Sequence, residues 1–182
     1  MPGTPPEVKQ LTNTEVLAKK AIKGDMAAYG ELYDLYLPEM YKYALFCLSS
    51  VENARDAVQD AALEGMKSIC KLKKAGSVKP WLFKILSNVC KRKQREKYAA
   101  EFTELEKCFE LSENDMTAKI ENALFIAESI SKLDQDEKEI IDLSLFAGLN
   151  SKEIAKVTGL NPGTVRSKLS RALAKIRKEA SI

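Results

Sequence analysis

The chain has 182 residues, 29 Lys and Arg against 26 Asp and Glu, no histidine and a net charge of +3. That length holds one medium domain or two small ones. No apolar run approaches the roughly 20 residues of a membrane span, and no signal peptide is visible. Four scattered cysteines without a CxxC pair, and no histidine, argue against a zinc site and read as reduced structural thiols of a cytoplasmic protein.

Charge is more informative in its distribution than in its sum. Eleven bases stand against the single acid Glu96 between Lys67 and Lys97, whereas residues 101–115 hold six acids against Lys107. Residues 161–178 then carry six bases and no acid. A basic block, an acidic block and a basic end predict two nucleic-acid-facing surfaces joined by a linker.

In chain order, residues 1–13, with Pro2, Pro5 and Pro6, read as a flexible tail. Thr14 is placed to cap a first short helix, with Leu17, Ala21 and Ile22 inward and Gly24 as its stop. Asp25 caps a second helix dense in apolar and aromatic residues, from Met26 to Leu48, which Pro38 is expected to kink or interrupt. Its tyrosines read as core residues with wet hydroxyls rather than as a stacking platform. Ser49-Ser50 opens a third helix, Val51 to about Leu72. Its apolar face holds Ala54, Ala57, Val58 and Ala61, and Asp56, Gln59, Asp60 and Glu64 line its other side. That acidic side is either a solvated face or a docking surface for a basic partner helix.

The stretch 71–80 (KLKKAGSVKP) reads as a basic loop bent at Gly76, with Pro80 starting a helix that runs from Trp81 to about Tyr98. Trp81, Leu82, Ile85, Leu86 and Val89 point inward on that helix, which ends in the densest basic cluster of the chain. Loop and helix together form a candidate groove for a nucleic-acid backbone. Residues 99–117 are the acidic linker. A helix is expected from Ala118, and another, capped by Asp134 and stopped near Gly148, carries Ile140, Ile141, Leu143 and Phe146.

The end of the chain is the sharpest signal. Asn150 and Glu153 form a capping box, Gly159 supplies the left-handed stop, and Asn161 with Pro162 starts the last helix. Val165, Leu169, Leu173 and Ile176 make one stripe on that helix, and bases occupy its other faces. A short helix, a glycine turn and a basic second helix describe a helix-turn-helix whose second helix enters a DNA major groove. An ordinary helical hairpin with a solvated basic face is the alternative. No strand signal appears, so the expected fold is all-α: two small helical domains, residues 14–98 and 118–182, joined by the linker.

YGELYDLYLPEMYKYAL (29–45), ARDAVQDAALEGMK (54–67) and KPWLFKILSNVCKRKQR (79–95) resemble region two of bacterial RNA polymerase sigma factors. The stretch 133–178 (LDQDEKEIIDLSLFAGLNSKEIAKVTGLNPGTVRSKLSRALAKIRK) resembles their region four. Two regions and a short linker correspond to the extracytoplasmic-function group of the sigma-70 family. The resemblance implies a non-enzymatic subunit that binds core polymerase, directs it to promoters with minus-ten and minus-thirty-five elements, and promotes DNA opening. It implies polymerase docking by Asp56, Gln59, Asp60 and Glu64. It implies minus-ten contacts by Lys73, Lys74, Gly76, Ser77, Lys79, Lys84, Asn88, Lys91, Arg92 and Arg95. Minus-thirty-five contacts fall to Thr164, Arg166, Ser167, Lys168, Arg171 and Lys175. The implied partners are the clamp helices of the largest polymerase subunit, the flap of the second largest, promoter DNA and an anti-sigma factor. No cofactor or metal is implied, and none of the common nucleotide-binding or hydrolase motifs is present. One departure stands out: family members often carry Asp near the position of Arg92. A stand-alone helix-turn-helix regulator is the alternative function, and an RNA-binding or nuclease-like helical protein a third; both leave the acidic helix face without a role.

Overall fold

Local signals determine most of the helix ends. In the computed structural model, which describes residues 13–101 and 133–180, seven α-helices and two short 3-10 turns make up the regular structure. They are α1 (Asn13–Ile22), α2 (Met26–Leu48), α3 (Val51–Ser68) and α4 (Val78–Glu101), then α5 (Gln135–Leu145), α6 (Ser151–Thr158) and α7 (Pro162–Ala180). No strand occurs among the described residues. The tail to residue 12, linker positions 102–117 and the helix expected from Ala118 to Lys132 lie outside them.

Asp25 accepts the Ala28 N–H and Ser50 the Asn53 N–H, as their spacing predicts. Asp134–Glu137 and Asn150–Glu153 both close as full capping boxes. Gly159 ends α6 at φ 79°, in the left-handed region that glycine alone enters freely.

Four boundaries differ from expectation, one of them the end of α4, which runs on to Glu101 and so takes in the first three positions of the expected linker. Helix α1 begins at Asn13, so Thr14 lies in its first turn rather than at its cap. The third helix leaves α geometry at Ser68 and tightens into a 3-10 turn, Ile69–Lys71. The fourth begins at Val78 rather than Trp81, with Pro80 in its first turn. The first four N–H groups of a helix have no internal acceptor, so proline is tolerated there.

The interruption expected at Pro38 does not occur: α2 runs unbroken for 23 residues. An interior proline costs about 3 kcal/mol. Leu32, Met40 and Tyr43, all essentially inaccessible to solvent, contribute about 1.5–3 kcal/mol each by burial and outweigh it. The tyrosines are core residues, as expected, but not all are wet. Tyr43 is fully buried edge-on against Phe83, and Tyr29 donates to the Ala62 carbonyl at 2.7 Å.

Helices α1 to α4 pack around two apolar clusters. The smaller joins Leu17, Tyr29, Leu32, Ile69 and Leu82. The larger contains Met40, Tyr43, Phe83, Leu86 and Val89, and continues without a break into Ile140, Leu143, Ile154, Val157 and Val165 of α5 to α7. The N-terminal and C-terminal helices therefore share one core.

Where α2 crosses α3, a Cβ at Gly65 would overlap the Tyr29 hydroxyl. Gly65→Ala is expected to destabilise the fold by about 1–3 kcal/mol through overpacking. Thermal denaturation followed by circular dichroism checks this, and an unchanged or raised melting temperature would refute the contact.

Candidate nucleic-acid interface

The apolar stripe of α7 sets which of its bases face outward. Val165 and Ala172 are fully buried and Leu169 half-buried, so the helix is held against α5 and α6 along that edge. Thr164, Arg166, Ser167 and Arg171 are exposed on the other side. Arg171 is steadied by donating from Nε to the Ser167 carbonyl at 3.3 Å. Lys168 and Lys175 are engaged elsewhere. Lys168 bridges Asp134 at 3.4 Å and Asp136 at 3.0 Å, and the Asp136 carboxylate raises its pKa. Lys175 pairs at 2.7 Å with Glu137, whose side chain is only 3% exposed. The outward face therefore narrows to four residues, two of them arginines able to read guanine edges bidentately.

The second basic surface is built by the 3-10 turn Ala75–Ser77 and by α4. Lys73, Lys74, Gly76, Lys84, Asn88, Arg92 and Arg95 are exposed, while Ser77, Lys79 and Lys91 are half-buried. Lys79 lies 2.7 Å from a Glu39 oxygen, as an ion pair rather than an aligned hydrogen bond, and 5.6 Å above the Tyr36 ring. Lys91 is bound to Glu139 of α5 at 2.8 Å.

The acidic side of α3 has neighbours that its own sequence stretch does not reveal. Lys93 lies 3.9 Å from Asp56 and 3.6 Å from Asp60. Arg92 reaches Glu64 at 3.0 Å and Asp60 at 3.9 Å. Arg92, which departs from the expected acid, is thus half of an α3–α4 ion-pair ladder. Gln59 and Asp56 remain exposed at the open edge of that ladder, with exposed Leu63 and Met66 on the same helix.

The N-terminal and C-terminal helices meet where α6 packs on α4. Lys156 donates to Ser77 Oγ at 3.1 Å, and Glu139 accepts from Ser87 at 2.7 Å and from Lys91 at 2.8 Å. Sequence reading missed Ser87, Glu139, Asp142 and Lys156. Each lies 48 or more positions from its partner, beyond the reach of any periodicity. Among the described residues no group of three His, Cys, Asp or Glu is arranged to hold a metal ion, and no helix is long and apolar enough to cross a membrane.

Comparison with known proteins finds two family matches along the chain. The family profile for sigma-70 region 2 matches residues 32–99, and that for sigma-70 region 4 matches residues 126–176. The chain belongs to the sigma-70 family. Within it, similarity is to the extracytoplasmic-function group. This sigma factor is 26% identical to the ECF RNA polymerase sigma factor SigM of Mycobacterium tuberculosis over 165 residues, covering 91% of this chain and 83% of that one. It shares its fold with CnrH, solved in complex with the cytosolic domain of CnrY (TM-score 0.70, 23% identity, 92% and 97% of the two chains). It likewise shares the fold of RpoE of Bartonella quintana, solved with the anti-sigma factor NepR (TM-score 0.70, 21% identity, 85% and 97%).

The two classes of base on α7 of this sigma factor should separate by experiment. Lys175→Met leaves the buried Glu137 carboxylate without its cation and is expected to cost about 1–3 kcal/mol of stability. Arg171→Ala, on the exposed face, should leave the denaturation midpoint within about 0.5 kcal/mol of wild type. Urea unfolding of both variants measures this, and equal losses would reject the division.

Proposed function

We propose that this sigma factor acts through three surfaces of its own chain: the acidic edge of α3 for core RNA polymerase, the basic turn and α4 for opened minus-ten DNA, and α7 for the minus-thirty-five element. The observation that carries the reading is the occurrence, in order on one chain, of a region-two and a region-four module, each presenting exposed bases. The protein binds core polymerase, directs it to promoters and promotes their opening, with no chemistry of its own.

Division of labour follows from the physics of each contact. Lys73, Lys74, Lys84 and Arg95 neutralise phosphate charge, which supplies affinity that falls steeply with salt. Unpaired bases captured beside Asn88 offset the cost of unstacking. Arg166 and Arg171 add selectivity of about 1–3 kcal/mol for each good base pair read. Lys168, Lys175, Arg92 and Lys79 stand in ion pairs and serve chiefly to position those elements. A solved relative is held by an anti-sigma factor, and an anti-sigma factor that covers the same surfaces is the expected regulator here.

Run-off transcription with core polymerase tests the reading: the protein is expected to yield promoter-dependent transcripts, and their complete absence would overturn it. Asp56→Lys combined with Asp60→Lys should abolish co-purification with core polymerase while leaving the helical content unchanged, since both side chains lie at the surface. Retained binding would exclude α3 as the docking helix. Arg171→Ala should lower transcription mainly through the upstream element, by about tenfold, corresponding to about 1.4 kcal/mol. An equal loss on templates lacking that element would count against the assignment.

A further inference from the structure

A cavity of about 210 Å³ lies among α2, α4 and α5. Most polar groups in its lining already have partners. Glu139 accepts from Ser87 at 2.7 Å and from Lys91 at 2.8 Å, and Gln94 donates to the Cys47 carbonyl at 2.8 Å. Asp142, in the same lining, differs. It is 4% exposed, its Oδ1 has no hydrogen-bond partner, and its Oδ2 is met only by the Cys47 thiol, at 4.0 Å. A buried carboxylate left in that state costs free energy that a well-placed donor would recover.

Size and lining narrow the class of donor. An apolar cavity of about 150 Å³ accepts a benzene ring, so this one has room for a ring with a small polar substituent. From α2 the Tyr43 and Phe46 rings supply apolar surface, and Phe46 is braced by the Phe146 ring at 5.0 Å. Gln135, also in the lining, is exposed, which gives an occupant a way in. An anion is disfavoured, because α5 contributes two acids and the Lys91 ammonium is already bound to Glu139. A metal ion is disfavoured as well: among the described residues no three acids or thiols are arranged to hold one. A cation bearing N–H groups satisfies the carboxylate and tolerates the aromatic wall.

We propose that this cavity is a binding site for a small organic cation, an amine or amidine with a flat apolar body, whose N–H groups pair with Asp142. Such a site goes beyond the sigma-factor reading and does not depend on it. Its occupant touches α2, α4 and α5 at once, and therefore stabilises the folded arrangement of those three helices by mass action.

The charge state of the carboxyl sets the conditions of the test. Burial holds it up at about 7, Glu139 adds to the effect, and Lys138 works against it less strongly. At about pH 8 the carboxylate is therefore mostly charged and able to pair.

Benzamidine, a planar monocation, and benzamide, its uncharged counterpart of the same shape, are the probes. Each is titrated at that pH into the isotopically labelled full chain, without polymerase, and followed by amide NMR. Benzamidine should bind saturably and at least about tenfold more tightly than benzamide, since a charged donor meets a charged acceptor. The largest shift changes should fall on Cys47, Cys90 and Asp142. Asp142→Asn keeps the shape of the side chain and removes its charge. It should erase the preference for benzamidine and leave benzamide binding unchanged, which also shows that the cavity still forms. Binding that never saturates means that the space holds solvent only, and overturns the site. Equal affinity for the two probes overturns it too, as do shift changes centred on Asp56 and Asp60 of α3. An Asp142→Asn variant that retains the wild-type preference removes the carboxylate from the site. The two-probe comparison is made on the wild type, so a misfolded variant would not shield the proposal. Neither probe involves promoter DNA, so a failed transcription assay and a failed site are distinguishable.

Discussion

Phe83, Leu86 and Val89 of α4 sit in the same core as Tyr43 of α2, Ala57 of α3 and Ile154 of α6. The other features of the molecule follow from this shared burial. A helix whose apolar stripe contacts three others has only its remaining surface for chemistry, and α4 divides that surface by direction. Arg92 and Lys93 turn to the acids of α3, Ser87 and Lys91 turn to Glu139, and Lys84, Asn88 and Arg95 stay in solvent. The bases open to a partner are therefore the ones that packing leaves over.

The ion pairs fall into two energetic classes. Those between α3 and α4 join side chains that are mostly 40–55% exposed, and such pairs contribute about 0.2–1 kcal/mol. Pairs this weak neutralise the acidic face without closing it to another basic partner. The pair of Lys175 with Glu137 differs because one partner is buried. Loss of its cation would strand a charge, so this pair fixes how α7 sits on α5 and hence where Arg166 and Arg171 point.

Legibility in the sequence divides along the same line. The Asn150–Glu153 capping box, the Asp134 cap, the Gly159 stop and the Asn161-Pro162 start depend on residues within four positions of one another, and each appears in the structure as its spacing predicts. The acidic row on α3 and the basic loop were also visible, because helical periodicity gathers them. Hidden were the contacts that decide which charges are available. Arg92 is a conspicuous departure in the sequence, and its partners on α3, Glu64 at 28 positions away and Asp60, give it a place in the structure. Pro38 divides in the same way: the local rule predicts a kink or an interruption, and tertiary burial keeps the helix continuous through it.

Asp142 follows from the same reasoning carried one step further. An unpaired buried carboxylate costs stability that apolar packing would supply, and Asp142 is buried with one oxygen unpartnered. Burial is the main reason that its carboxyl is pushed up to about 7, so a bound proton removes part of the charge that no partner offsets. Glu139, one turn earlier on the same helix, has the opposite arrangement: Ser87 and Lys91 both donate to it, and those two contacts set how α5 lies on α4. The register of the packed helices is therefore fixed by Glu139 and not by Asp142, although both are acids on one face of one helix.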